Sequence, residues 1–390
     1  MDTPLNGVPP EGKAAAREGA GGAWLVSSYA DARAILVSAA ARVPADSPPP
    51  PGGGGGAADA VVARGVLLRG LWMWGCDTDR RAPCRKAAAT ALGSAPVERL
   101  GPYLESRAAD LLDSGPETVG IDLVDGFARP LVRDALMELF GVEPAARAPL
   151  QAQVGAMAGF IPGSTSGGTA RYFALAATAR LLEEIWAKPL PPLAAASRLL
   201  RGAVEAGEIS LDEALAQATL LLFGNSYTTL DALAGLLARL AEQPLVWQAA
   251  RSGSLAVAGL VEESLRLGPP AHLILFRDSV GEILCPGGNI PAGARIVLPL
   301  DRLNRDPACF ERADAFEPGR SGPPHLAFGA GRHMCVGLHL ARAVIRAGVE
   351  ALLRRLPEWP AETRVSRAPG ILGGPSVVGL AVSAGALRIC

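Results

Sequence analysis

The residues best equipped to do chemistry stand in one short run, HLAFGAGRHMCVGLHLARAVIRAGVEALL. In it Phe328, Gly329, Gly331, His333, Cys335 and Gly337 follow the order F-G-x-G-x-H-x-C-x-G, directly ahead of a helical pattern. A cysteine in that setting can serve as a thiolate. It needs shielding from water, backbone N–H groups aimed at the sulfur, and a helix N-terminus whose dipole favours an anion. The glycines let the backbone turn closely beneath a flat ligand, so the run suits the axial thiolate of a haem iron. Two other readings use the same residues. One makes Cys335 an inert buried thiol. The other is a mixed zinc site drawn from His325, His333, Cys335 and His339. The Phe-Gly-x-Gly frame has no role in a zinc site, and the spacing fits no familiar zinc pattern.

The elements that must hold this run are legible around it. A helix is expected from about Val336 to Leu356. Ahead of the run lies the irregular, Pro/Arg/Asp-rich stretch NRDPACFERADAFEPGR. Before that, HLILFR, GEILC and ARIVLPL alternate with PGG and PAG turns in the manner of a small antiparallel sheet. SLAVAGLVEESLRLG reads as a helix stopped by Gly268, Pro269 and Pro270. It carries Glu263 and Arg266 at i and i+3, on one face, where they can pair. From Leu211 to Leu240 an almost uninterrupted apolar helical pattern predicts a long helix through the interior. Two further helical patterns between Ala145 and Lys188 flank IPGSTSGGT, which reads equally as a hinge or lid and as a solvated helix–helix connection. Several helices are expected from Arg81 to about Phe140, and AWLVSSYADARAIL reads as strand, turn and helix. The fold class is mainly α with a minor antiparallel β part. The expected organisation is a disordered N-terminus over residues 1–22 and one domain over 23–390, with a mobile Pro/Gly-rich loop at 46–60.

Composition narrows the function. The 390 residues carry a net charge of -1, with 49% hydrophobic and 19% charged residues. That supports a sizeable core and offers no field for nucleic acid. Met1 to Gly22 lacks the apolar core of a secretory signal, and no stretch reaches the length of an uncharged membrane span, so a cytoplasmic protein without membrane attachment is expected. Six cysteines over this length make no disulfide framework.

The Cys335 run resembles the haem-binding loop of the cytochrome P450 family without a gap. Glu263 and Arg266 resemble that family's E-x-x-R pair, with Arg320 as a third member of the ion-pair network. The resemblance covers nearly the whole chain from about Ala23 and implies the cytochrome P450 fold with haem b (iron protoporphyrin IX) as cofactor. It also implies that Arg85, Arg277 and His333 are partners of the haem propionates. Arg81, at a site often occupied by histidine in the family, is a fourth. Across the long helix the family usually reads A-G-x-acid-Thr-Thr, where this chain has Phe223, Gly224, Asn225, Ser226, Tyr227 and Thr228. With Gly224 fixing the register, Ser226 replaces the acid and Tyr227 the threonine. A slip of one residue would instead put Thr228 at the threonine position. Asn225, Ser226, Tyr227 and Thr228 are therefore the candidate distal residues.

The resemblance implies oxidation of a small apolar molecule with dioxygen and two electrons. No flavin or iron–sulfur motif accompanies the run, so a separate ferredoxin and ferredoxin reductase are expected as donors to a monomer. Its Ala/Arg/Gly-heavy composition resembles that of actinobacterial members and points to secondary-metabolite biosynthesis. The substrate pocket is expected from Phe160–Thr169, Leu222–Thr228 and His272–Leu275. The altered distal positions leave room for coupling, ring closure or isomerisation, or for a haem binder without oxygenase activity.

Overall fold

Apolar residues at helical spacing dominate the sequence, and helices dominate the fold. The structure, a computed structural model, describes residues 16–18, 22–44, 57–74, 79–114, 121–161, 168–270, 274–360, 362–369 and 375–382. The α-helices there are α1 (Tyr29–Val37), α2 (Ala57–Gly70), α3 (Arg81–Ala91), α4 (Ser94–Asp113), α5 (Arg129–Leu139), α6 (Pro144–Ala156), α7 (Ala170–Trp186), α8 (Ala195–Glu205), α9 (Leu211–Ala241), α10 (Pro244–Arg251), α11 (Val257–Leu267), α12 (Leu300–Leu303) and α13 (Leu338–Arg355). The strands are β1 (Ala16–Glu18), β2 (Ala23–Val26), β3 (Ala41–Arg42), β4 (Ile121–Asp122), β5 (Ile274–Ser279), β6 (Arg295–Pro299), β7 (Arg364–Pro369) and β8 (Pro375–Val382).

The predicted interior helix is α9. It opens on a capping box, in which Ser210 Oγ accepts from Glu213 N–H at 3.2 Å and the Glu213 carboxylate accepts from Ser210 N–H at 2.7 Å. Two otherwise orphaned donors are satisfied there. The helix is apolar and long enough to cross a membrane, yet 67% of its most apolar window is buried by protein. Helices α5, α7, α8, α11 and α13 pack on it.

One sheet has the order β1-β2-β6-β5-β3, antiparallel throughout except where β2 and β6 run parallel; the other has the order β4-β8-β7. HLILFR and ARIVLPL supply β5 and β6, whereas GEILC contributes only an isolated bridge between Ile283 and Ile290. Two boundaries differ from expectation. Ala16–Glu18, within the terminus read as disordered, pairs antiparallel with β2, because the open edge of a strand accepts any extended neighbour. Ala57–Ala60, assigned to the Pro/Gly-rich loop, form the first turn of α2, since the helical spacing of AADAVV resumes as soon as the glycine run ends. Residues 46–56 of that loop lie outside the described residues.

The apolar core forms two clusters. The larger surrounds α9; the smaller joins α1, the β5–β6 region, Phe310 and Leu326. Leu326 belongs to the smaller cluster, while Phe328 and Val336 pack against the larger. The Gly-rich run thus spans the seam between the two.

Candidate active site

The run from Leu326 to Gly337 is held by its own backbone. Gly329 N–H donates to Leu326 O at 2.8 Å, Met334 N–H to Gly331 O at 3.0 Å, and Cys335 N–H to Phe328 O at 2.9 Å. Gly329 and Gly331 adopt φ of +67° and +66°, in the left-handed region. At Gly331 a Cβ would stand 2.6 Å from Leu36 O and 3.0 Å from Val37 Cα, so the end of α1 closes the loop from outside. Gly337 is the N-cap of α13, and its N–H donates to the Cys335 sulfur.

The Cys335 side chain is accessible, yet burial by the surrounding protein pushes its thiol pKa up. Both hold for a side chain that faces an internal cleft. The Gly337 N–H and the charges of Arg85 and Arg342 act in the opposite direction, favouring the thiolate.

Cationic side chains gather beside the loop. Arg81 Nη2 donates to Arg332 O at 2.8 Å and lies 3.0 Å from His333 Nδ1, while its Nε donates to Met73 O at 3.2 Å. Arg85 Nη2 donates to Met334 O at 2.6 Å, and burial lowers its pKa while Cys335 raises it. Arg277 is buried in β5 and donates to Phe276 O at 2.7 Å. Arg81, Arg85 and His333 therefore meet at the loop from α3 and the run itself, while Arg277 stands on β5.

The Glu263–Arg266 pair is bidentate, both contacts at 2.8 Å, with each residue buried. Arg266 also donates to Asn304 O at 2.8 Å, Ala313 O at 2.7 Å and Ala315 O at 3.0 Å. Arg320 Nε reaches Glu263 Oε1 at 3.1 Å, and Glu317 N–H reaches the same oxygen at 2.9 Å. Burial raises the Glu263 pKa, but these donors outweigh it and the net direction is down. Asn304 passes the network on to the run, since its Oδ1 accepts from Leu326 N–H at 2.7 Å.

On α9 the four candidate distal residues separate. Asn225 and Ser226 are buried and turned into the helix packing: Asn225 Nδ2 donates to Leu221 O at 2.9 Å and Ser226 Oγ to Leu222 O at 2.7 Å. Gly224 and Thr228, one turn apart, share the accessible face with Tyr227, Asp231 and Gly235. Thr228 Oγ1 donates to Gly224 O at 2.6 Å. The Tyr227 hydroxyl points toward Gly155 of α6, where a Cβ would meet it at 2.9 Å, and burial raises its pKa. Asn225 bridges helix and loop, for a Cβ on Gly337 would stand 2.3 Å from its Oδ1. Of the expected pocket segments, residues 162–167 and 272–273 lie outside the described residues.

The zinc reading falls. His325 faces Glu262, His333 faces Arg81 and His339 is exposed on α13. Among the described residues no three His, Cys, Asp or Glu converge to hold a metal ion.

Comparison with known proteins agrees with this geometry. The family model described as Cytochrome P450 matches residues 256–363. Cytochrome P450 107B1 of Saccharopolyspora erythraea is 31% identical over 339 residues, covering 86% of this chain and 82% of that protein. This chain belongs to the cytochrome P450 family. A second similar P450, the polyketide biosynthesis cytochrome P450 PksS of Bacillus subtilis, is 27% identical over 288 residues, 72% of this chain and 69% of that one. The solved structure of P450BioI in complex with hexadec-9Z-enoic acid ligated acyl carrier protein superposes with a TM-score of 0.79 over 93% of this chain and 92% of that chain. At 23% identity it shows the P450 fold. Cytochromes P450 bind haem b, and this P450 is a haem-dependent monooxygenase. Its residues fit that cofactor, with an accessible thiol, a glycine-built loop around it, and the buried Arg81 and half-buried Arg85 beside that loop. The sequence had signalled all of them except Arg342, Glu262 and the accessible face of α9. Arg342 was readable only as one more arginine on a helix, seven residues after Cys335.

Proposed function

We propose that this P450 oxidises a small apolar intermediate of secondary-metabolite biosynthesis, as a cytoplasmic monomer, with electrons from a separate ferredoxin and ferredoxin reductase. The observation that supports it most is the pairing of an accessible interior thiol at Cys335 with one accessible stripe on the otherwise buried α9. Haem supplies oxygen activation at its iron when bound. Cys335 would hold the haem iron through its thiolate, and the Gly337 N–H and the dipole of α13 favour its negative charge. Arg81, Arg85 and Arg277 would supply the positive charge that two carboxylates require in a buried setting, and His333, whose Nδ1 accepts from Arg81, would offer a neutral N–H. Phe328, Gly329, Gly331 and Gly337 shape the loop that would carry the haem.

On the distal side Thr228 is the hydroxyl positioned to hold water or pass a proton, with the Gly224 carbonyl as its resting acceptor. Asn225 and Ser226 support the helix, and Tyr227 remains a neutral phenol turned toward α6. The stripe favours the register in which Thr228 stands at the family's threonine position, with Tyr227 at that of the acid. The absence of an acid there supports a second reading, in which the enzyme performs coupling or ring closure that draws less on protein-supplied protons.

Reduced protein exposed to carbon monoxide is expected to give the strongly red-shifted Soret band of a thiolate-ligated haem, and Cys335→Ala is expected to abolish it. Turnover with ferredoxin and reductase then separates hydroxylated from coupled or cyclised product. A wild-type protein with no red-shifted band defeats the reading.

A further inference from the structure

Beneath the ligand loop lies a charged cluster that neither the E-x-x-R network nor the propionate partners account for. The Arg342 guanidinium, on α13, stands 4.6 Å above the centre of the Phe328 ring. It is gripped by Glu262 of α11, its Nε and Nη2 each 2.7 Å from a carboxylate oxygen. His325 closes the cluster: its Nε2 lies 3.3 Å from Glu262 Oε2, and its Nδ1 accepts from Ala327 N–H at 3.1 Å, which places the ring proton on Nε2. The His325 and Phe328 rings are 5.8 Å apart. One face of Phe328 is thus covered by a cation whose position is set from α11 and from the start of the loop.

We infer that Arg342 is a positioning residue for the thiolate, holding the Phe328 end of the loop and setting the charge felt at Cys335, with Glu262 as its counterweight. The physical reason is simple. Reduction adds an electron to a centre already ligated by an anion, so a nearby cation favours the reduced form and a nearby carboxylate disfavours it. Arg342 stands over Phe328, whose carbonyl accepts from Cys335 N–H at 2.9 Å, so its charge lies one residue contact from the ligand. Glu262 neutralises part of that cation, and its own carboxyl, pushed up by burial, is brought down to about 2 by Arg342 and His325. Removing either partner leaves the other uncompensated, so the two deletions act with opposite sign. Both partners are partly accessible, side chains 36% and 43% exposed, which keeps the effect modest and sensitive to salt.

The inference rests on the haem-thiolate reading, and the measurement keeps the two apart. Reduction potentials of haem-loaded wild type, Arg342→Gln, Glu262→Gln and Arg342→Lys are compared, with the carbon monoxide spectrum recorded for each. Arg342→Gln is expected to lower the reduction equilibrium about tenfold, ~59 mV for one electron, Glu262→Gln to raise it, and Arg342→Lys to restore most of the loss. Shifts of one sign in both deletions, or none in either, with the thiolate band retained, overturn the inference. A wild type without that band overturns the haem-thiolate reading itself.

Discussion

At Gly337 the ligand loop meets the central helix with no space between them, since a Cβ there would lie 2.3 Å from Asn225 Oδ1. Gly337→Ala is therefore expected to cost about 1–3 kcal/mol, the usual range for overpacking. It should appear as a lower Tm and weaker haem retention, and Asn225→Gly should relieve it, giving a non-zero coupling in a double-mutant cycle. Thr228 and Ser226 differ as sharply, although they are two residues apart. Thr228→Val removes the hydroxyl on the accessible stripe, so product per dioxygen consumed is expected to fall several-fold with peroxide rising in its place. Ser226→Ala deletes a group already committed to Leu222 O and is expected to leave that ratio unchanged. Simultaneous assay of oxygen, peroxide and product checks both.

Helix α9 depends on its first turn as much as on its apolar length. Arg80 and the N-cap Ser210 outweigh burial and hold the Glu213 carboxyl at about 2. A carboxyl whose folded pKa lies below its ordinary 4.5 contributes stability that is present above about pH 4.5 and fades as pH falls toward 2. Acid denaturation followed by circular dichroism is expected to lose stability across that window, with a shallower slope in Arg80→Gln. The helix itself was legible from spacing: its apolar pattern and SLDEAL start agree with Leu211–Ala241. So were α11, stopped at Gly268, and the Glu263, Arg266 and Arg320 triad. What sequence could not supply was facing. Periodicity along α9 is nearly saturated with apolar residues, so it does not reveal that Gly224 and Thr228 face outward while Asn225 and Ser226 turn in. Nor does it show that α2 and α7 touch backbone to backbone at Gly65, where a Cβ would lie 2.2 Å from Tyr172 O. Such contacts are fixed by three-dimensional packing between distant segments, for which one sequence holds no local signal.

Across the molecule, the Glu263 network ties α11 to the irregular stretch around Ala313–Arg320 and, through Asn304, to the ligand loop. Glu263→Gln leaves Arg266 buried without its counter-charge, and the expected loss is about 3–5 kcal/mol. Chemical denaturation of that variant should show it, together with failure to retain haem.

The closure of the loop by α1 also orders the life of the chain in time. Gly331 fits only against Leu36 and Val37, Arg332 donates to Ala41 O at 2.9 Å, and Tyr29 is bonded through its N–H to Asp306 and through its hydroxyl to Pro324. The smaller core accordingly joins α1 to a stretch that lies far later in the sequence, Tyr29 and Pro324 being 295 residues apart. On the ribosome α1 must wait, undocked, until that later stretch has been made. The ligand pocket is thus sealed only after synthesis has passed Cys335, so the loop and α1 close on a cofactor together rather than one after the other.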